Sequence, residues 1–110
     1  MSERELRLGL NEAVFREVNE RIREVSERFE PPQELDLVCE CGRRECTERI
    51  SISMSEYEQV RSDELQFVLV PGHEDETLEV VIAHKGTYDV VRKRAAEAAD
   101  VAEATDPRAP

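Results

Sequence analysis

All of the thiols in this chain, Cys39, Cys41 and Cys46, fall within eight residues. Gathering them in so short a stretch restricts the fold more than any other feature, because the backbone must turn tightly enough to aim three sulfurs at one place. Gly42 supplies the bend, since a residue without a Cβ enters conformations closed to the others. The flanking sequence shows how such a turn is held. Leu35, Leu37 and Cys39 alternate with Asp36, Val38 and Glu40, the period of a strand, and Ile50, Ile52 and Met54 alternate with Ser51 and Ser53. The segment Cys41-Gly42-Arg43-Arg44-Glu45-Cys46 then reads as the tip of a hairpin, fixed by a strand on either side.

Zinc takes Cys sulfur and His nitrogen in a tetrahedron. Four protein ligands make a closed structural site, whereas three leave a position for water. Cys39-x-Cys41-x4-Cys46 supplies three. The expected fourth is His73 in Pro71-Gly72-His73-Glu74, a turn signal after the strand-like run Gln66 to Val70. His84, the other histidine, ends an apolar run and is the competing choice. Other readings of the thiols stay open. They are small buried side chains without a metal, a reactive thiol poised for oxidation, or an iron-sulfur ligand set, for which the usual spacings are missing. A Cys3His zinc centre carries net negative charge, and Arg43, Arg44 and Arg49 are placed to offset it.

A chain of 110 residues has room for one domain, which buries roughly two thirds of its unfolded surface. With 39% hydrophobic residues and no tryptophan, its core rests on Val, Leu and Ile, so a bound ion would contribute a useful share of stability. Acidic residues outnumber basic ones by 26 to 15, and the net charge of -11 disfavours nucleic acid and anionic membrane surfaces. No apolar run approaches the ~20 residues of a membrane span. Met1-Ser2-Glu3-Arg4-Glu5 lacks the layout of a secretion signal, so the expectation is a cytoplasmic protein. An odd number of thiols in such a compartment argues against a disulfide framework.

From Asn11 to about Phe29 the residues Val14, Phe15, Val18, Ile22, Val25 and Phe29 recur at helical steps. Asn11 is the expected N-cap and Pro31-Pro32 the stop. Glu12 to Arg16, Glu17 to Arg21 and Glu24 to Arg28 are spaced for ion pairs along the other faces. Ser53 and Glu56 form a capping box that predicts a short helix near residues 54–62. Leu78 to Ala83 and Tyr88 to Arg92 read as a hairpin turning at Gly86. The alanine-rich stretch from Ala95 to Ala104 predicts a helix with little apolar surface. The expected architecture is a single α+β domain over residues 1–104. A long N-terminal amphipathic helix packs its stripe on a mostly antiparallel sheet of about five strands, a short helix is inserted, and a frayed C-terminal helix leads to a flexible tail at 105–110. The alternative use of the stripe is a dimerisation seam. A partner protein or a second protomer, making a homodimer, would cover the sheet's other face if Val68 to Val70 and Val80 to Ala83 leave it apolar.

Five segments, Asn11 to Ile22, Cys39-Glu40-Cys41 with Cys46, Glu56 to Arg61, Pro71-Gly72-His73-Glu74 and Asp106-Pro107-Arg108, give the chain a further character. In them it resembles a group of small actinobacterial proteins with a C-x-C…C and P-G-H-E pattern, over nearly its whole length. The resemblance implies a shared Cys-and-His feature of the kind that holds a metal, and no particular activity.

Catalytic motifs are missing: no G-x-S-x-G, no phosphate-cradling glycine loop and no H-E-x-x-H. His73-Glu74 beside three cysteines does not match the order or spacing of the zinc deaminases. The functional expectation is a small cytoplasmic zinc-stabilised protein-interaction module without catalytic activity, binding another protein with a basic surface through its acidic exterior. The alternatives are a thiol-based redox or metal sensor, and a metal-dependent hydrolase with Glu74 as general base.

Overall fold

The computed structural model describes residues 1–28 and 34–110. Helix α1 (Glu3–Glu27) leads to strands β1 (Glu34–Val38) and β2 (Arg49–Ser53). Helix α2 (Met54–Arg61), strands β3 (Gln66–Leu69), β4 (Glu79–His84) and β5 (Asp89–Lys93), and helix α3 (Ala96–Ala104) follow. Among the described residues the protein is a mixed α+β fold with a long N-terminal helix, five antiparallel strands and two short helices. Among the described residues no helix is long and apolar enough to cross a membrane.

Helix α1 begins well before Asn11. Ser2 Oγ accepts the Glu5 N–H at 3.1 Å while the Glu5 carboxylate accepts the Ser2 N–H, a capping box at the very start of the chain. That cap and a tertiary role for the helix outweigh the ~1 kcal/mol that Gly9 costs inside it. Asn11 instead sits mid-helix and donates its amide to the Gly42 carbonyl at 3.1 Å. The stripe residue Phe29 and the Pro31-Pro32 stop lie outside the described residues.

The orientation of α1 reverses the expectation drawn from its apolar stripe. Its buried residues are Gly9, Glu12, Ala13, Arg16, Asn19 and Glu20. Val14, Val18 and Val25 face outward, 58%, 39% and 52% exposed. Of the stripe, Ile22 packs at the margin of the core and Phe15 is half-buried. The polar face can go inward because its groups find partners there. Arg16 donates to the carbonyls of Glu64 at 2.6 Å and Ala102 at 2.8 Å, and its guanidinium lies 4.5 Å from the Phe67 ring centre. The Glu20 carboxylate accepts from Tyr57 Oη at 2.8 Å and from Arg108 at 2.5 Å. The predicted pair Glu17–Arg21 is present at 3.7 Å. Glu12 and Arg16 do not pair with each other, since each is drawn into the interior by β5 or α3.

The five strands divide into two sheets, β1-β2 and β3-β5-β4. Leu35 faces Ile52 and Leu37 faces Ile50 across the first. Phe67 faces Val91 and Val68 faces Val90 in the second. The division falls at Glu40. Its N–H donates to the Val68 carbonyl at 2.9 Å, but the Val68 N–H is taken by the Glu40 carboxylate at 3.0 Å, so a side chain replaces the backbone acceptor that would continue the ladder. One apolar cluster joins Leu35, Leu37, Ile50, Ile52, Tyr57, Val68 and Val90, each such side chain contributing about 1.5–3 kcal/mol on burial. A second joins Cys39 and Cys41 to Phe67, Leu69, Val91 and Ala102. Past α3, where fraying was expected, Arg108 reaches Glu20 at 2.5 Å and Glu58 at 2.7 Å.

Candidate metal centre

Two turns build the site. Strand β1 delivers Cys39, whose N–H donates to the Glu48 carbonyl at 3.1 Å and so prolongs the β1-β2 ladder to the edge of the loop. Gly42 follows Cys41 at φ +79°. A Cβ there would lie 2.7 Å from both the Leu8 carbonyl oxygen and the Glu12 Cγ, so the loop lies directly on α1. Arg43 to Cys46 close a turn with a 3.1 Å bond from the Cys46 N–H to the Arg43 carbonyl. The second turn is Val70-Pro71-Gly72-His73, closed by the His73 N–H on the Val70 carbonyl at 3.0 Å, with Gly72 at φ +87°. Proline then glycine at its two central positions is what a type II turn requires.

These turns bring Cys39, Cys41, Cys46 and His73 together, their sulfur and nitrogen donors all within 4.8 Å of one another. His73 Nδ1 is 3.7 Å from the sulfurs of both Cys39 and Cys46. A tetrahedral ion with ordinary Zn–S and Zn–N bonds sets neighbouring S and N donors about 3.6 Å apart and S and S about 3.8 Å apart. The set therefore fits such an ion with small adjustments. Cys39 and Cys41 are buried and Cys46 is half-buried, which protects the site from water on the core side.

The surroundings act on the three thiols in opposite directions. The Val70 N–H donates to Cys39 Sγ at 3.1 Å, and the backbone amides of Arg43 and Glu48 act to lower the Cys41 and Cys46 thiols. The sulfurs interact strongly with one another as well. A hydrogen bond with Cys39 draws the Cys41 thiol down to about 5, while the same bond and burial push Cys39 up. Burial pushes Cys46 up too. Three thiols this close, sharing negative charge in a half-dry pocket, are a donor set that a cation relieves. On the far side of the imidazole, His73 Nε2 lies 3.9 Å from the exposed Glu48 carboxylate, beyond hydrogen-bond length.

His84 does not join this group; it is an exposed residue at the end of β4, its Nδ1 2.9 Å from the Asp89 carboxylate. Of the three arginines expected to offset the charge, Arg49 turns away to Asp36 at 3.1 Å. Arg43 and Arg44 stay on the loop between the second and third thiols. Glu74 is half-buried in a hollow it shares with Glu79, Val80 and Arg94.

Glu40, between the first two cysteines, is the important residue whose role the alternating pattern did not show. Strand alternation places it opposite the Cys39 face, on the side of Asp36, which is exposed. It is fully buried instead, held by Arg61 at 2.7 Å, by Asn19 at 2.7 Å and by the Val68 N–H. The thiol loop is thus anchored to α1, α2 and β3 by one carboxylate. A glutamate between two cysteines of the cluster was the signal in the sequence. Comparison of the chain with protein-family models, with curated proteins and with solved structures finds no match.

Proposed function

We propose that this protein is a small cytoplasmic zinc-stabilised module that binds another protein and has no catalytic activity of its own. The observation that carries the reading is the convergence of Cys39, Cys41, Cys46 and His73, with every donor atom within 4.8 Å of the others. Their softness suits zinc, and a complete set of four protein donors leaves no position for a reacting water. That argues for a structural ion over a hydrolase using Glu74. The ion would tie the β1-β2 loop to the turn after β3 and so join the two sheets at a second point beyond Glu40.

The interaction role rests on α1. Leu10, Val14, Val18 and Val25 stand exposed along it while Glu12, Arg16, Asn19 and Glu20 are inside, an arrangement that leaves apolar side chains for a partner. The chain's net charge of -11 favours a partner with a basic surface over another acidic one. A second copy of the chain is the remaining way to cover these side chains.

Elemental analysis of the protein purified from a zinc-replete host tests the reading. One zinc per chain is expected, with loss of the ion in Cys41→Ser and in His73→Ala. A wild type that folds with no metal overturns it. Cys46 is half-buried, and this favours a redox or metal sensor as the second reading. Zinc release within seconds of mild peroxide would select the sensor; ligands protected for hours would select the structural ion.

A further inference from the structure

Arginines make up an unusual surface beside the thiol loop. A groove of about 640 Å³ runs between the first turns of α1 and the loop after Cys41, and Arg4, Arg7, Arg43 and Arg44 line it with Asn11 and Glu45. In a chain with 26 acidic residues, cations elsewhere are mostly paired: Arg21, Arg23, Arg49, Arg61, Arg92 and Arg108 each meet a carboxylate. The side chains of Arg7, Arg43 and Arg44 meet none among the described residues, and Arg4 has Asp75 at 3.0 Å. Allowing for Asp75 and for Glu45 in the lining, the groove keeps about two positive charges on an otherwise strongly negative molecule.

We propose that this groove binds a small phosphate-bearing anion, a diphosphate or a phosphate ester with its organic part in the remaining space. The positioning is built in. Asn11 holds the Gly42 carbonyl at 3.1 Å, and the close approach of Gly42 to Leu8 and Glu12 presses the loop onto α1. Arg43 and Arg44 are therefore presented opposite Arg7 by a loop that its own turn bond at Cys46 stiffens. Guanidinium groups donate two parallel hydrogen bonds to adjacent phosphate oxygens, and several converging forks reward a ligand carrying more than one negative charge. The volume lies in the range of small-molecule sites and exceeds what a bare phosphate fills. Charge also limits the ligand's length. Beyond a screening length of ~8 Å the remaining acidic surface repels a long polyanion, while a compact one stays within the arginine field.

The proposal does not depend on the ion at the cysteines, and its test separates the two. The full chain, as purified and with its metal content measured in parallel, is titrated with pyrophosphate, orthophosphate, citrate and a single-stranded oligonucleotide at physiological salt. Calorimetry gives the affinity and backbone amide shifts give the place. Pyrophosphate should bind one site more tightly than orthophosphate or citrate, moving the amides of residues 4–11 and 42–45. Arg7→Glu, on the outside of α1 and away from the thiols, should weaken it at least tenfold, and Arg43→Ala with Arg44→Ala should do the same. Arg92→Ala, an exposed arginine outside the groove, should leave it unchanged. Overturning results are no saturable shift, equal losses in Arg92→Ala, citrate binding as tightly as pyrophosphate, or an oligonucleotide binding more tightly through the same arginines.

Discussion

Asn19 and Glu40 meet in the interior, the Asn19 amide donating to the Glu40 carboxylate at 2.7 Å. The same Asn19 side chain donates to the Val38 carbonyl at 2.8 Å and accepts the Val38 N–H at 2.9 Å. One helical amide thus takes the place of a neighbouring strand along β1 and holds the carboxylate that anchors the thiol loop. This contact explains how α1 packs with its polar side inward.

Replacing Asn19 should therefore cost far more than replacing the valine before it. In Asn19→Leu the Val38 N–H and carbonyl and one Glu40 oxygen lose their partners, at about 1–3 kcal/mol for each group left dry. A loss of at least ~3 kcal/mol is expected. Val18→Ser, on the outward strip, should change stability by no more than about 0.5 kcal/mol. Urea denaturation of the two variants decides the matter, and equal losses would show that the buried face of α1 is the apolar one.

Arg61 and Glu40 form a pair whose side chains are 3% and 0% exposed. Arg61→Met removes the cation and leaves the carboxylate charge in a dry site, a change that typically costs about 3–5 kcal/mol. Glu40→Gln in the same background removes that charge while keeping most of the shape. The double variant should be more stable than the sum of the single losses by over ~1 kcal/mol, as measured by a double-mutant cycle in denaturant.

Lys93 lies between two buried carboxylates, 2.5 Å from Glu79 and in contact with Glu12. Burial holds the Glu12 carboxyl well above its ordinary value of 4.5, with Lys93 opposing and Glu79 adding to the effect. An acid raised on folding contributes stability that is fully present below its unfolded value and is lost as pH rises through the folded one. Glu12→Gln should therefore be about neutral near pH 4 and less sensitive to alkali than wild type above it. Glu20, Asp63 and Asp75 act in the opposite sense. Burial raises each, but hydrogen bonds from Arg108 and Tyr57, from Arg92, and from Thr77 and Arg4 bring them below their ordinary values. Their contribution is lost as pH falls through the folded values. Thermal unfolding from pH 2 to 9 should show the two slopes separately, that of Glu12→Gln above pH 4 and that of Asp63→Asn below it, and superimposable profiles for Glu12→Gln and wild type would refute the assignment.

Gly42 and Gly86 both have positive φ, +79° and +86°. Around Gly86 a Cβ meets nothing within 4 Å, whereas at Gly42 it meets α1 at 2.7 Å. Alanine at Gly86 should cost about 1–2 kcal/mol, the backbone strain alone. At Gly42 the clash adds about 1–3 kcal/mol more and moves the loop that carries Cys41. Gly42→Ala should also bind zinc more weakly, while Gly86→Ala keeps its affinity. Competition with a chromogenic chelator measures both.

Local rules were enough for much of the fold. The alternation around Leu35 to Leu37 and Ile50 to Ile52, the Ser53–Glu56 cap and the turn at Gly86 lie where local chemistry put them, because strand period, capping and positive φ are decided within a few residues. The Pro71-Gly72 turn belongs with them, and through it the approach of His73 to the thiols was legible as a loop facing a hairpin tip.

The tertiary structure alone decided which side of α1 is inside, why the strands form two sheets, and where the arginines of the thiol loop point. Periodicity weighs side chains by their cost in water, and by that measure Glu12, Arg16, Asn19 and Glu20 belong outside. Their burial depends on Lys93, the Glu64 and Ala102 carbonyls, Val38, and Tyr57 with Arg108, partners 19 to 88 residues away in sequence. A polar group is cheap to bury only when its partner is already in place. The sequence by itself therefore determined the elements and the donor set, and long-range pairing determined the face, the sheet division and the groove.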